Sequence, residues 1–245
     1  MKKIVLIIAL FSTSTLFANN IDSLKNILNN PNSKNKHQTY LQLIKYTKSD
    51  SLHLLTYYAE QASQIAKNQL HDTLYAEFLN NIALEFYFKG FYSLAEQYFQ
   101  LSLNQELENN NILNAAKMYS NIAVTYEQRT NYSEALEYYN KALNEFSKLN
   151  YFKGIAKIYN NIGVLYQEMG MKQQAISYFY KAINIKKSLK DYASVASTYN
   201  NLGVLYEELV HNNDSALFYY QKALEIYDSI KNTNYYATTL QNISA

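Results

Sequence analysis

Asn80-Asn81-Ile82-Ala83, Ser120-Asn121-Ile122-Ala123, Asn160-Asn161-Ile162-Gly163 and Asn200-Asn201-Leu202-Gly203 are the stretches that decide the fold, because each lies 40 residues after the last. A further copy begins at Gln241-Asn242-Ile243-Ser244 after a step of 41, and the extra residue fits into His211-Asn212-Asn213, where a turn is expected. Around the four letters a wider pattern returns. Tyr119, Ile122, Ala123 and Tyr126 reappear as Tyr159, Ile162, Gly163 and Tyr166, then as Tyr199, Leu202, Gly203 and Tyr206, with Leu79, Ile82, Ala83 and Phe86 as the earlier copy. Offsets of 3, 4 and 7 place these side chains on one face of a helix. A second set, Ala135, Tyr139 and Ala142, returns as Ala175, Phe179 and Ala182, as Ala216, Tyr220 and Ala223, and more loosely as Ala95, Phe99 and Ser102. Its offsets of 4 and 7 make a second helix facing the first.

The repeat therefore reads as two antiparallel helices whose apolar faces need each other and the next pair. Helices are predicted near 22–29, 36–47, 51–67, 73–89, 92–108, 113–129, 132–148, 153–169, 172–189, 194–210, 215–230 and from 235 onward. Small residues at Ala123 or Gly163, set opposite Ala135 or Ala175, are expected to let the helices of a pair approach closely. A glycine inside a helix costs about 1 kcal/mol relative to alanine, so Gly163 and Gly203 imply a contact too close for a methyl group. Gly90 and Gly170 occupy the same phase just past a helix and are expected to take the left-handed C-terminal conformation. Asn131 with Glu134 reads as a capping box, and Asp214-Ser215 and Asp50-Ser51 as further caps.

Composition agrees. The 245 residues are 48% hydrophobic with only 5 Gly and 1 Pro, which excludes disorder and the turn-rich β architectures. A formal charge of +2 supplies no cationic footprint for nucleic acid. The absence of cysteine from the sequence removes disulfides, thiolate metal sites, a cysteine nucleophile and a lipid-bearing N-terminal cysteine. His37, His53, His71 and His211 do not recur at ligand spacing, and no phosphate-loop, dinucleotide or hydrolase motif is present. The expectation is a protein that is not an enzyme and that uses no metal and no cofactor. Most of the 26 tyrosines fall on the repeating apolar phases and read as packing residues.

The N-terminus carries an address. Met1-Lys2-Lys3 is basic, Ile4 to Phe11 is apolar, and Ser12 to Ala18 is small and polar apart from Leu16 and Phe17. Residues 1–18 are read as a secretory signal cleaved after Ala18, which predicts an exported, periplasmic or envelope protein. Residues 19–32 form a lead-in helix, and 33–245 form the repeat array of about five helix pairs, the last incomplete.

The order aromatic, Ile/Leu, Gly/Ala, Tyr on one helix and Ala, aromatic, Ala on the next resembles the tetratricopeptide repeat, most closely over residues 76–230. The family's usual repeat is 34 residues long; this one has 40 and resembles the extended repeats of kinesin light chains and bacterial peptide-sensing regulators. Residues 33–67 look like a degenerate first pair, with Tyr57-Tyr58-Ala59-Glu60-Gln61-Ala62 echoing Tyr219-Tyr220-Gln221-Lys222-Ala223. Ile21-Asp22-Ser23-Leu24-Lys25 resembles the opening of exported bacterial members, in which such arrays often precede a membrane helix and a kinase or DNA-binding output. The resemblance implies an all-α, α-α superhelix of antiparallel pairs whose first helices line a groove for a peptide or protein segment.

By that resemblance the groove stripe is Lys117, Ser120, Asn121, Val124 and Gln128 in one copy and Lys157, Asn160, Asn161, Val164 and Glu168 in the next. Ser197, Asn200, Asn201, Val204 and Glu208 follow, and Glu77, Asn80, Asn81, Leu84 and Phe88 form the earliest clear copy. Asparagine is a middling helix former, so its return at 81, 121, 161, 201 and 242 needs a reason. Two are open: the amides grip the backbone of an extended peptide, or they bridge neighbouring helices. Other functional readings are the sensory input of a longer membrane-bound transducer, with a membrane helix beyond Ala245, and a self-associating scaffold. The last copy breaks off before its second helix, which favours the N-terminal part of a longer protein over a last helix that caps itself.

Overall fold

The computed structural model describes residues 20–243, all of whose regular structure is helical. The leader read at 1–18 and the final Ser244-Ala245 lie outside the described residues. Helix α1 covers 20–29. It is followed by α2 (Lys36–Tyr46), α3 (Leu52–Gln69), α4 (Asp72–Phe88), α5 (Tyr92–Glu108), α6 (Ile112–Glu127) and α7 (Tyr132–Lys148). Then come α8 (Phe152–Glu168), α9 (Lys172–Ser188), α10 (Tyr192–Glu208), α11 (Asn213–Ser229) and α12 (Thr233–Ile243). Every boundary read from the periodicity falls within two residues of these. The chain divides into two compact units, with the boundary between Met118 and Tyr119, inside α6.

In the first unit α2 packs on α3 and α4 on α5. The degenerate pair has a true core, since Leu43, Ile44, Leu55, Ala59, Ala62 and Ala66 are fully buried. On α4 the predicted face, Leu79, Ile82, Ala83 and Phe86, is buried with Ala76 and Phe78. Ser102, which replaces the repeat's alanine on α5, donates its hydroxyl to the Ala76 carbonyl at 2.7 Å and so remains buried without an unpaired donor.

In the second unit α8 packs on α9, α10 on α11, and each pair on the next. The core joins Ala175, Phe179 and Ile183 of α9 to Val195, Ala196 and Leu202 of α10 and to Ala223 and Tyr227 of α11. The glycines explain the approach differently from the small-against-small expectation. A Cβ on Gly163 would lie 2.7 Å from two ring atoms of Phe179, and one on Gly203 would run into the Tyr220 ring. What the missing methyl admits is an aromatic ring lying on the backbone of the first helix, at the position four residues beyond the alanine.

All the later turns share one geometry. The left-handed residue falls at Gly90, Asn110, Thr130, Asn150, Gly170, Lys190, His211 and Lys231, once per helix. After most of them a backbone N–H closes five residues back, as from Phe91 to Phe86 (2.9 Å), Asn131 to Tyr126 (2.9 Å) and Met171 to Tyr166 (2.8 Å). The extra residue of the 41-step is absorbed between Leu209 and Asn212, where Asn212 N–H reaches the Tyr206 carbonyl at 2.9 Å. Capping follows the turn rather than the expected boxes. Asn131 and Ser51 make no side-chain cap bond, and the cap of α11 is Asn212, which accepts from the Ser215 N–H at 2.9 Å. Thr130 is the one β-branched residue among these left-handed positions. Thr130→Gly is therefore expected to stabilise the protein by about 1 kcal/mol, a rise of roughly 2–4 °C in a thermal melt.

Candidate functional site

Within each unit the first helices of the pairs leave part of one face open. On α8, Lys157 and Glu168 are exposed and Asn160, Asn161 and Val164 half-buried; on α10, Ser197 and Glu208 are exposed and Asn200, Asn201 and Val204 half-buried. The rest of the stripe lies on α4 and α6. Glu77 and Lys117 are exposed, Asn80, Asn81, Leu84, Asn121 and Val124 half-buried, and Phe88 stands 77% exposed at the end of α4. Spacings of three and four residues produce this: one arc is buried on the pair's second helix, while the opposite arc keeps part of its surface open.

The asparagines divide into two groups. Asn201 donates its side-chain amide to Asn160 Oδ1 at 3.4 Å, and Asn242 donates to Asn200 Oδ1 at 3.1 Å. The second asparagine of a copy thus ties to the first of the copy before it, and the bridging reading holds for these four residues. Asn80 and Asn121 are engaged as well. Asn81 and Asn161 make no side-chain hydrogen bond among the described residues. Ser120, which stands in the first-asparagine position of its copy, is only 3% exposed and its Oγ has no partner.

Behind Asn160 lies a buried cation that periodicity did not reveal. Lys186 of α9 is 8% exposed, and its ammonium donates to Thr198 Oγ1 (2.6 Å), the Ser194 carbonyl (3.2 Å) and Asn160 Oδ1 (3.3 Å). Burial lowers its pKa to about 8, against the pull of Asp191 in the other direction. All three N–H donors are used, which is how a lysine is retained in a core.

Toward the C-terminal ends of the same helices the face is acidic. Glu127 of α6, 8% exposed, accepts from the Tyr139 hydroxyl at 2.6 Å, and burial raises its pKa to about 7, with the Tyr139 bond opposing and the Glu168 charge assisting. Burial also raises Glu168. Glu207 accepts from Tyr220 at 2.7 Å, and Gln167 donates to Glu208 at 3.3 Å. Inside this one chain the partners change together: Glu127 with Tyr139, Glu207 with Tyr220, but Gln167 where the phase-equivalent residue is Phe179. That joint change was a signal available in the sequence.

The tyrosines pack as their phases indicate. Tyr138 lies 5.5 Å from Tyr126, Tyr178 5.5 Å from Tyr166 and Tyr219 5.2 Å from Tyr206, centroid to centroid. Lys141 and Lys181 cover the rings of Tyr138 and Tyr178 at 4.4 and 4.3 Å. Among the described residues no helix is long and apolar enough to cross a membrane.

Comparison with known proteins bears on the fold. The family model described as tetratricopeptide repeat matches residues 114–188 and 154–229. No curated protein sequence matches the chain. Among solved structures, BtubC (BKLC) from P. vanneervenii superposes with a TM-score of 0.63 at 20% identity, covering 89% of this chain and 90% of that one. The Rap conjugation gene regulator of plasmid pLS20, solved in complex with the Phr* peptide, gives 0.63 at 20% identity over 85% of this chain and 60% of its own. A Rap protein complexed with Competence and Sporulation Factor gives 0.66 at 17% identity over 89% and 61%. The chain thus spans about three fifths of each Rap protein's length.

Proposed function

Because the chain is a tetratricopeptide-repeat protein, by family match over residues 114–229 and by fold beyond them, we propose that it recognises an extended peptide or protein segment without chemistry, on the uncovered face of its first helices. The observation that carries this is the stripe Lys157, Asn160, Asn161, Val164 and Glu168 and its repeat at Ser197, Asn200, Asn201, Val204 and Glu208. Polar and charged groups remain accessible at a fixed pitch on helices that otherwise bury themselves. Two proteins of the same fold, the Rap structures above, are complexes, one with the Phr* peptide and one with Competence and Sporulation Factor.

An extended segment laid across α8 and α10 of the second unit meets an amide on each, a cation at Lys157 and carboxylates at Glu168 and Glu208. The charge order favours a ligand with an acidic group near the start of α8 and a basic one near its end. The buried Lys186 fixes Asn160 rather than reaching the ligand.

The test is panning of a random peptide library on residues 19–245, followed by calorimetric titration of the selected peptides. Lys157→Glu with Glu168→Lys is expected to weaken the selected peptide at least tenfold while leaving the circular dichroism spectrum unchanged. Retention of the same peptides by the charge-reversed variant would remove the face from consideration. The leader read at Met1 to Ala18 supports binding outside the cytoplasm, and N-terminal sequencing of the product from the host's envelope fraction is expected to begin at Asn19. Recovery of a chain starting at Met1 in the cytoplasm would contradict that.

A further inference from the structure

We infer that Asn161 is the rung of the asparagine ladder in the second unit that grips ligand, through one main-chain peptide group, and that it is available because Ser120 has replaced the residue that would tie it down. This rests on the peptide-binding reading and narrows it to one side chain.

The two following junctions set the rule. Asn201 reaches Asn160, 41 residues back, and Asn242 reaches Asn200, 42 back across the longer turn. Forty-one residues back from Asn161 stands Ser120. Serine carries its oxygen one bond nearer the backbone than asparagine carries Oδ1, and the tie is missing. Ser120 Oγ is left buried without a partner, and Asn161 makes no hydrogen bond among the described residues. A buried hydroxyl with nothing to bond is uncommon enough to need a reason. The reason offered by the geometry is that the amide above it is kept for another molecule.

Asn161 suits that task. It is half-buried on the uncovered face, with Lys157 one turn before it and Val164 one turn after. Its side chain presents two N–H donors and a carbonyl, the complement of one backbone peptide group with its C=O and N–H. The tied rungs are committed: Asn160 Oδ1 already accepts from Thr198 at 2.9 Å besides Lys186 and Asn201, and Asn200 Oδ1 accepts from Asn242. Ligand bound at Asn161 takes the place of the absent tie.

Two variants of residues 19–245 test this, with N-methylacetamide as a minimal peptide group and a pool of N-acetylated random octapeptides as the longer probe. In nitrogen-15 spectra of wild type, millimolar N-methylacetamide is expected to move the side-chain amide peaks of Asn161 and leave those of Asn201 in place. Ser120→Asn, which restores the tie, is expected to raise the melting temperature by a few degrees, to abolish the Asn161 response and to lower octapeptide retention at least tenfold. Asn161→Ala is expected to lose retention equally with an unchanged melt, since the side chain bonds to nothing in the free protein. An Asn161 signal that does not move, or that moves equally in Ser120→Asn, overturns the assignment. Equal octapeptide retention by wild type and both variants overturns it too while leaving the face as the binding surface. If N-methylacetamide acts as expected but wild type retains no octapeptide, the assignment stands and the peptide-binding reading fails.

Discussion

Replacing Glu127 by glutamine is expected to stabilise the protein on the order of 3 kcal/mol at pH 8 and to change it little near pH 4.5. The carboxyl of Glu127 is nearly enclosed at the end of α6, and burial lifts its pKa to about 7 from an ordinary value of 4.5. A carboxyl raised on folding binds its proton more tightly in the native than in the unfolded chain. Its contribution is therefore favourable in acid, declines as pH climbs from about 4.5, and reaches its full cost above about 7. Glutamine removes the titration and retains a carbonyl to accept from Tyr139. The check is a set of urea unfolding curves between pH 4.5 and 8 for wild type and Glu127→Gln. The two should diverge steadily with pH; parallel curves would show that Glu127 is solvated. Glu137, exposed and paired only with Lys141, is the control and should move stability by no more than a few tenths of a kcal/mol. Lys186 has the opposite slope. Its pKa is depressed to about 8, so its cost is full below that value and is relieved as pH rises toward 10.5. Together the two groups set their least favourable contribution between about pH 7 and 8.

Gly163→Leu is the second large effect, a loss of about 3 kcal/mol or somewhat more in the midpoint stability. The first atom added would already lie 2.7 Å from Phe179, a fully buried ring flanked by Ala175 and Ile183. The ring has nowhere to go without moving α9. Gly163→Ala isolates that first atom: helix propensity returns about 1 kcal/mol, yet the clash outweighs it and the variant melts below wild type. Phe179→Leu in the Gly163→Ala background vacates the ring and should recover part of the loss. A double variant no better than the sum of the single ones would show that the ring is not what meets the methyl group.

Much of this architecture was legible because the side chains that pack are also the ones that repeat. Tyr159, Ile162, Gly163 and Tyr166 mark the buried arc of α8 before any coordinates, and the extra residue near His211 predicts where the longer turn lies. The left-handed residue of each turn was legible only at Gly90 and Gly170. At Asn110, Thr130, Asn150, Lys190, His211 and Lys231 the same left-handed backbone is imposed by how closely successive helices must pack, whatever residue stands there. The ring over Gly163 was misread because sequence spacing marks the face of α9 but not how far along it the contact falls. Lys186 escaped notice for a related reason. It occupies the phase of Phe146 and Tyr227, and only the meeting of α8, α9 and α10 supplies Asn160, Thr198 and the Ser194 carbonyl as its acceptors.

For the candidate site, the sequence marked the stripe and left two roles open for its asparagines. In the structure Asn160, Asn200, Asn201 and Asn242 brace neighbouring helices, whereas Asn161 carries no such brace and Ser120 stands where the series would place its partner.

The most direct measurement is a nitrogen-15 titration of residues 19–245 with the tightest panned peptide. The expected shifts map to Lys157, Asn161, Val164 and Glu168 on α8 and to Ser197, Asn201 and Val204 on α10, with Tyr180 and Lys181 of α9 unchanged. Shifts confined to the second helices α9 and α11, or a peptide that binds equally well when Asn161 is alanine and Lys157 is glutamate, would contradict the account.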